Sequence, residues 1–422
     1  MHRREVLRSG VGLGVGLLGG SGVAGARSPS TDAYEPYGKL EVEGARETVV
    51  GADGRTAFVA ANTGYVTVDV SNPDRPRVLA ERRDLLADRD GGPLREVWDA
   101  KVDGDSLLVA GPANPRGGVH GVLLVDVSDP ADPETRAFFE TDYPVHNCFL
   151  AGDRAYLTGD DGVRNPLVVV DVSDDDPVEV GRWALADVDA AWESVPPGLR
   201  TTHDVWVRGE TAFVSSWDAG TWILEVSDPA RPRAIGSVGG RPPGKLADLA
   251  DSDRRPALTP PGNHHSAATD ESGALLGIGK ESWAVETDGT LRGGPSGIEL
   301  WDVSDPGAPE HRATIDPPPT PNPTYGGRWT TAHNFEIRGG VLYSSWYQGG
   351  VKRHDVSDPG RPREVTWWRA PERANFWTAR LAAPGARDGF FVASSVGDAH
   401  GDLENAPARL YTFPDRPGGP RR

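Results

Sequence analysis

Four histidines occupy the same place in four successive stretches of the chain: His146 in Val-His-Asn-Cys, His203 in Thr-His-Asp-Val, His265 in His-His-Ser-Ala and His333 in Ala-His-Asn-Phe. Each opens a run of alternating residues, the pattern of a short strand. Neutral imidazole nitrogens ligate zinc, copper, nickel and iron, and a histidine group with few carboxylates favours such ions over calcium. The cofactor these residues point to is a transition metal, copper or zinc. Two other roles fit the same residues: ring hydrogen bonds to the backbone that a repeat would copy, and a metal-free pocket. No ligand spacing within one strand separates the three. Two further stretches hold Trp98 and Trp377 at the same position, while the match in the first stretch is poor.

Several residues lie in segments that should gather around the histidines. His264 adjoins His265, and turns after the second strands contribute Trp217 with Asp218, Glu281, Trp346 with Tyr347 and Gln348, and Asp398 with His400. Three long connections rich in Pro and Gly, 186–201, 239–262 and 316–330, have the length of segments that cover a site. Aromatic walls with a few polar groups suit a small molecule. His120, His311 and His354 are expected at the surface. No nucleophile elbow, Walker loop or His-Glu-x-x-His motif is present.

What must position these residues is a repeat. The phrase Asp-Val-Ser-Asp-Pro, with small variations, begins at Asp69, Asp126, Asp171, Glu225, Asp302 and Asp355, and its serines fall 45 to 77 residues apart. Such a period accommodates a four-stranded blade. In the fourth unit, 203–207, 211–216, 221–226 and 232–238 read as strands separated by Gly and Asp-Pro turns. A seventh unit, 376–381, 389–394 and 409–413, lacks a fourth strand, and Tyr37 to Val42 resembles a fourth strand without a blade. The expected fold is all-β: a seven-bladed β-propeller of four-stranded antiparallel blades, closed by an N-terminal strand completing the last blade. Six blades is the alternative, if the last unit is a tail. In this fold the starts of the innermost strands meet at the mouth of the central channel, so the four histidines should line one arc of it.

The 422 residues include 53 Gly and 37 Pro, which fits a turn-rich fold and disfavours a mainly helical one. The formal charge is -18 and no basic run interrupts the repeats, which argues against a nucleic-acid binder and disfavours an anionic membrane surface as partner. Only five of the 44 basic residues are Lys, and this acidic, Lys-poor composition resembles that of proteins from salt-loving archaea. The one cysteine, Cys148, excludes an intramolecular disulfide and any Cys-based metal centre, and its neighbours Phe149 and Leu150 suggest a buried thiol.

Arg3-Arg4, followed by the weakly hydrophobic stretch from Gly10 to Val23 and by Ala24-Gly25-Ala26, reads as a twin-arginine export signal. The expected organisation is a signal over 1–26, a single propeller over 27–415 and a disordered tail over 416–422. The mature protein should be an extracytoplasmic monomer without a membrane span.

The repeated phrase, with Ser345-Trp346-Tyr347-Gln348-Gly349-Gly350-Val351 leading into its sixth copy, resembles the LVIVD-repeat family of secreted propellers. That resemblance covers nearly the whole chain after the signal and implies the fold, with no particular activity. The segment from Leu342 to Pro362 also resembles the selenium-binding protein and methanethiol oxidase propellers, which implies copper-dependent sulfur chemistry. The function expected is an extracytoplasmic binding or interaction module with a His-lined pocket, taking a small molecule or a cell-surface protein. The alternative is a metal-dependent oxidoreductase acting on a small substrate.

Overall fold

In the computed structural model, which describes residues 34–249, 259–383, 389–397 and 406–415, each repeat folds into one four-stranded antiparallel sheet. There are seven such sheets among the described residues. In the first, Thr48–Val50 is innermost, followed outward by Thr56–Ala60, Gly64–Asp69 and Arg77–Arg83. The innermost strands of blades two to seven are Asp99–Asp103, Val145–Ala151, Asp204–Arg208, His264–Thr269, Phe335–Arg338 and Phe376–Ala383. Blade seven takes its outer strand, Gly38–Glu41, from the start of the described chain; it pairs with Arg409–Pro414 in the register Gly38 to Thr412 and Glu41 to Arg409. The ring is thereby closed, with no strand edge left in the last blade's gap. No helix among the described residues is long and apolar enough to cross a membrane.

The repeated phrase builds the turn between third and fourth strands. The carboxylates of Asp69, Asp126, Asp171, Asp302 and Asp355 each accept the backbone N–H of the serine two residues on, at 2.9–3.1 Å. These are Asx turns, which explains why short acidic residues recur there. In each of the first six blades one register slip follows between third and fourth strands, at Thr67/Val68, Leu124/Val125, Val169/Val170, Ile223/Leu224, Leu300/Trp301 and Arg353/His354. The pairing that closes blade seven has none.

Apolar clusters lie between neighbouring blades, so middle strands are covered on both faces. Cys148 is fully buried against Leu108, Val122 and Leu157, and burial raises its thiol well above the ordinary range. His354, expected at the surface, is instead 5% exposed on the third strand of blade six, beside Glu364 of the fourth. Its Nδ1 has no hydrogen-bond partner, and burial, then Lys352, lowers its pKa to about 4. Above pH 6.5 the ring is neutral folded and unfolded; below it the unfolded chain takes up a proton that the folded chain refuses until about pH 4. We therefore expect the stability of the wild type, relative to His354→Phe, to fall by an amount on the order of 3 kcal/mol between those limits. Denaturant midpoints from pH 7 to 4 measure this, and parallel curves would refute it.

Three of the five lysines are buried in ion pairs: Lys101 with Asp99, Lys280 with Glu299 at 2.5 Å and Lys352 with Glu364 at 2.9 Å. A fourth buried pair joins Arg380 of blade seven to Glu47, which precedes the inner strand of blade one, at 2.7 Å.

Candidate functional site

One residue from each blade stands at the start of the innermost strand, and the seven follow one another around the channel mouth. Ring centroids are 4.2 Å apart between His146 and His203, 4.0 Å between His203 and His265, 4.8 Å between His265 and His333 and 4.1 Å between His333 and Trp377. Trp98 lies 6.1 Å from His146 and 5.7 Å from Trp377. The first blade contributes Arg46, whose guanidinium carbon lies 5.2 Å from the Trp98 ring and 5.5 Å from that of Trp377. At His146, His265 and Trp377 the strand register slips, so each is the extra residue of a bulge and is turned out of the ladder toward the mouth.

The backbone fixes the protonation of these rings. Nδ1–H of His146 donates to the Ala113 carbonyl at 2.7 Å, that of His203 to His265 at 2.9 Å and that of His333 to Trp377 at 2.6 Å. A carbonyl only accepts, so Nδ1 carries the proton and Nε2 carries the lone pair of the neutral ring. Burial lowers all three of His146, His203 and His265, the latter two well below the ordinary range, with the neighbouring imidazoles adding to the effect on His203 and His265. Neutral imidazoles are the ligand form.

His265 differs from its neighbours. Its Nδ1 is buried without a hydrogen-bond partner, and it lies 3.3 Å from Glu281 Oε2. One nitrogen of His265, one of His333 and a carboxylate oxygen of Glu281 all lie within 4.8 Å of one another. Burial pushes the Glu281 carboxyl up to about 7, against a hydrogen bond from the Tyr347 hydroxyl. Tyr347 holds a positive φ of 49°, rare for a bulky residue, and is pinned there by backbone bonds of 3.1 and 3.0 Å to Phe376. Trp217, in the equivalent turn of blade four, has φ 37° and is bridged to His264 in the same way. Trp283, Tyr325, Trp329 and Tyr347 pack ring to ring at 4.7–5.1 Å beside His333 and form one wall of the mouth.

Of the residues singled out in the sequence, His146, His203, His265, His333, Glu281, Tyr347 and Trp217 are therefore brought together, Trp217 lying 6.1 Å from the His203 ring. His264 is fully buried in the seam between blades four and five, its Nδ1 2.8 Å from Thr221 Oγ1. Trp346 is fully buried in the packing of blade six and donates Nε1–H to Ser344 Oγ at 2.8 Å. His400 lies outside the described residues. Arg46 is the ring member that sequence reasoning missed.

A family model for the LVIVD repeat matches residues 50–81 and 199–239, the spans of blade one and blade four. The chain is a seven-bladed β-propeller that carries LVIVD repeats. Solved structures similar to this LVIVD propeller include the β-propeller domain of Cps50 (Swd1) from Myceliophteria thermophila, at 14% identity and TM-score 0.59 over 90% of this chain and 99% of that one. The WD40 propeller domain of Doa1 is 10% identical with TM-score 0.54, covering 91% and 98%. A functionally unknown protein from Desulfotomaculum acetoxidans is 11% identical with TM-score 0.51, covering 77% and 85%. At these identities the likeness is one of fold. No curated protein sequence matches the LVIVD propeller.

Proposed function

We propose that this LVIVD propeller is an exported small-molecule-binding protein whose channel mouth holds a divalent first-row transition ion on His265, His333 and Glu281. The observation that carries the reading is the His265 imidazole, buried beside a carboxylate with its Nδ1 unbonded. An unpaired buried polar atom costs about 1–3 kcal/mol, and a shared cation removes that cost. Two imidazoles and one carboxylate are a donor set for zinc, copper or iron. The nitrogens of His203 and His146 continue the arc at ring spacings of 4.0 and 4.2 Å and would reach ligands bound there. When bound, such an ion supplies a Lewis acid or a redox centre. Export is supported by Arg3-Arg4 and the Ala24-Gly25-Ala26 stretch, with a single propeller over 27–415 as its cargo.

The test is elemental analysis of mature protein recovered from outside its producing cell. About one equivalent of zinc, copper or iron is expected, and His265→Ala should remove it. The substitution removes the packing of a buried ring but no hydrogen bond from its Nδ1, so the metal-free variant should stay folded with only a modestly lower denaturation midpoint. Folded wild-type protein that carries no metal and takes none up would overturn the reading.

A further inference from the structure

The seven mouth residues are not alike in charge or in exposure. His146, His203, His265 and His333 are imidazoles, Trp98 and Trp377 are uncharged, and Arg46 alone brings a fixed charge. His203, His265 and His333 are buried, whereas Trp377, Arg46, Trp98 and His146, which are consecutive around the ring, are partly exposed. The exposed side of the ring is thus off-centre and carries the arginine. In a ring of seven, the positions across from Arg46 are those of His203 and His265.

Arg46 is a cation without a counter-charge. It forms no ion pair among the described residues; its NH1 donates to the carbonyl of its own neighbour Ala45 at 3.0 Å, and its Nε is buried with no partner. Burial lowers its pKa to about 10, which leaves it charged at neutral pH. The Glu96 carboxylate, whose charge Arg46 feels, is already engaged by Arg116 at 2.9 Å and by Asn114 at 3.2 Å. Instead of a carboxylate, the guanidinium has two indoles, and such stacking fixes its plane while leaving its N–H edge available. A guanidinium held in this way pairs with a carboxylate through two parallel hydrogen bonds.

We propose that the mouth takes a small organic carboxylate, its oxygens on Arg46 between Trp98 and Trp377 and its body directed across the ring at His203 and His265. The indole walls favour a flat body over a branched one. The inference rests on the mouth being the ligand site, and it holds whichever ion the opposite side carries. Arg46 then acts as the specificity group, and uncharged isosteres are rejected because they leave its N–H edge desolvated and unpaired.

Sodium benzoate and benzamide are flat probes that differ in the charge Arg46 would read. Calorimetric titration of the mature protein, as isolated and after chelation, should give saturable one-to-one binding of benzoate, with benzamide at least tenfold weaker. Arg46→Gln should weaken benzoate at least tenfold, and Arg46→Lys should fall between that variant and wild type. Equal affinities for benzoate and benzamide in wild-type protein would overturn the proposal, as would no saturable benzoate binding or an Arg46→Gln protein that binds benzoate as the wild type does. If Arg46→Gln does not fold, the comparison of the two probes on wild type still decides. Wild-type protein that carries no metal as isolated and takes none up, yet binds benzoate through Arg46, would sink the metal reading alone, and a metal-loaded protein indifferent to Arg46→Gln would sink this one alone.

Discussion

Arg380→Met is expected to destabilise the protein by about 3–5 kcal/mol, the cost of leaving a buried charge without its partner. That charge belongs to Glu47, whose side chain is fully buried and whose Oε1 accepts from Arg380 at 2.7 and 3.1 Å and from Thr378 at 3.2 Å. Its Oε2 accepts from Asn334 Nδ2 at 2.5 Å. One carboxylate therefore ties together blades one, six and seven, next to Arg46 in sequence. Burial pushes the Glu47 carboxyl up, but Arg380 first, then Lys101 and the hydrogen bonds, hold it below its ordinary value. Without Arg380 the remaining cation is Lys101, which is already paired with Asp99. Adding Glu47→Gln to Arg380→Met removes the stranded charge and keeps an acceptor for Asn334, so the double variant should recover more than half of the loss. Denaturant midpoints of the three proteins measure this, and a double variant no more stable than the single one would show that the charge is not the cause.

Deleting residues 34–41 should abolish the closed ring. The deletion strips the outer strand from blade seven, and with it the bond from Tyr34 to the Pro414 carbonyl at 2.8 Å and that from Trp368 Nε1 to Glu35 at 2.8 Å. Arg409–Pro414 then presents an unpaired edge, which pairs readily with another chain. The truncated protein should elute larger than the mature chain and melt at a lower temperature, and a synthetic peptide spanning residues 34–43 should restore both. Unchanged elution and melting would mean that contacts between blades, not the added strand, close the ring.

How much of this was readable beforehand varied by element, for physical reasons. The blades were legible because each copies the same Asx turn, and turn chemistry is local. The closing strand was legible by subtraction, since a unit short of one strand implied a spare strand elsewhere. At the mouth, however, neighbouring residues of an extended segment point opposite ways, so only one of His264 and His265, and one of Trp346 and Tyr347, can face the channel. A shift of one residue decides which, and composition does not reveal it. Arg46 escaped notice because Gly44-Ala45-Arg46-Glu47 lacks the His-Asn or His-Asp pair of the other units, although a ring of seven demanded an occupant there. The exposed position assigned to His354 failed because a middle strand of a blade is covered on both faces. The hairpin Ala284–Thr287 with Thr290–Gly293 in blade five went unread, although Asp288-Gly289 between its strands is a turn signal and the two residues have φ of 52° and 70°.

The burial of three lysines in ion pairs makes this a nearly amine-free surface. Only Lys39 and Lys245 among the lysines are exposed. An amine-reactive dye should therefore attach at these two side chains and at the chain's own N-terminus, and at no other place without unfolding. Lys39 stands opposite Tyr411 in the pairing that closes the ring. A fluorophore there, with Lys245 changed to arginine, would give this propeller a built-in optical gauge of its own seam, reporting opening of the last blade while the other six remain folded.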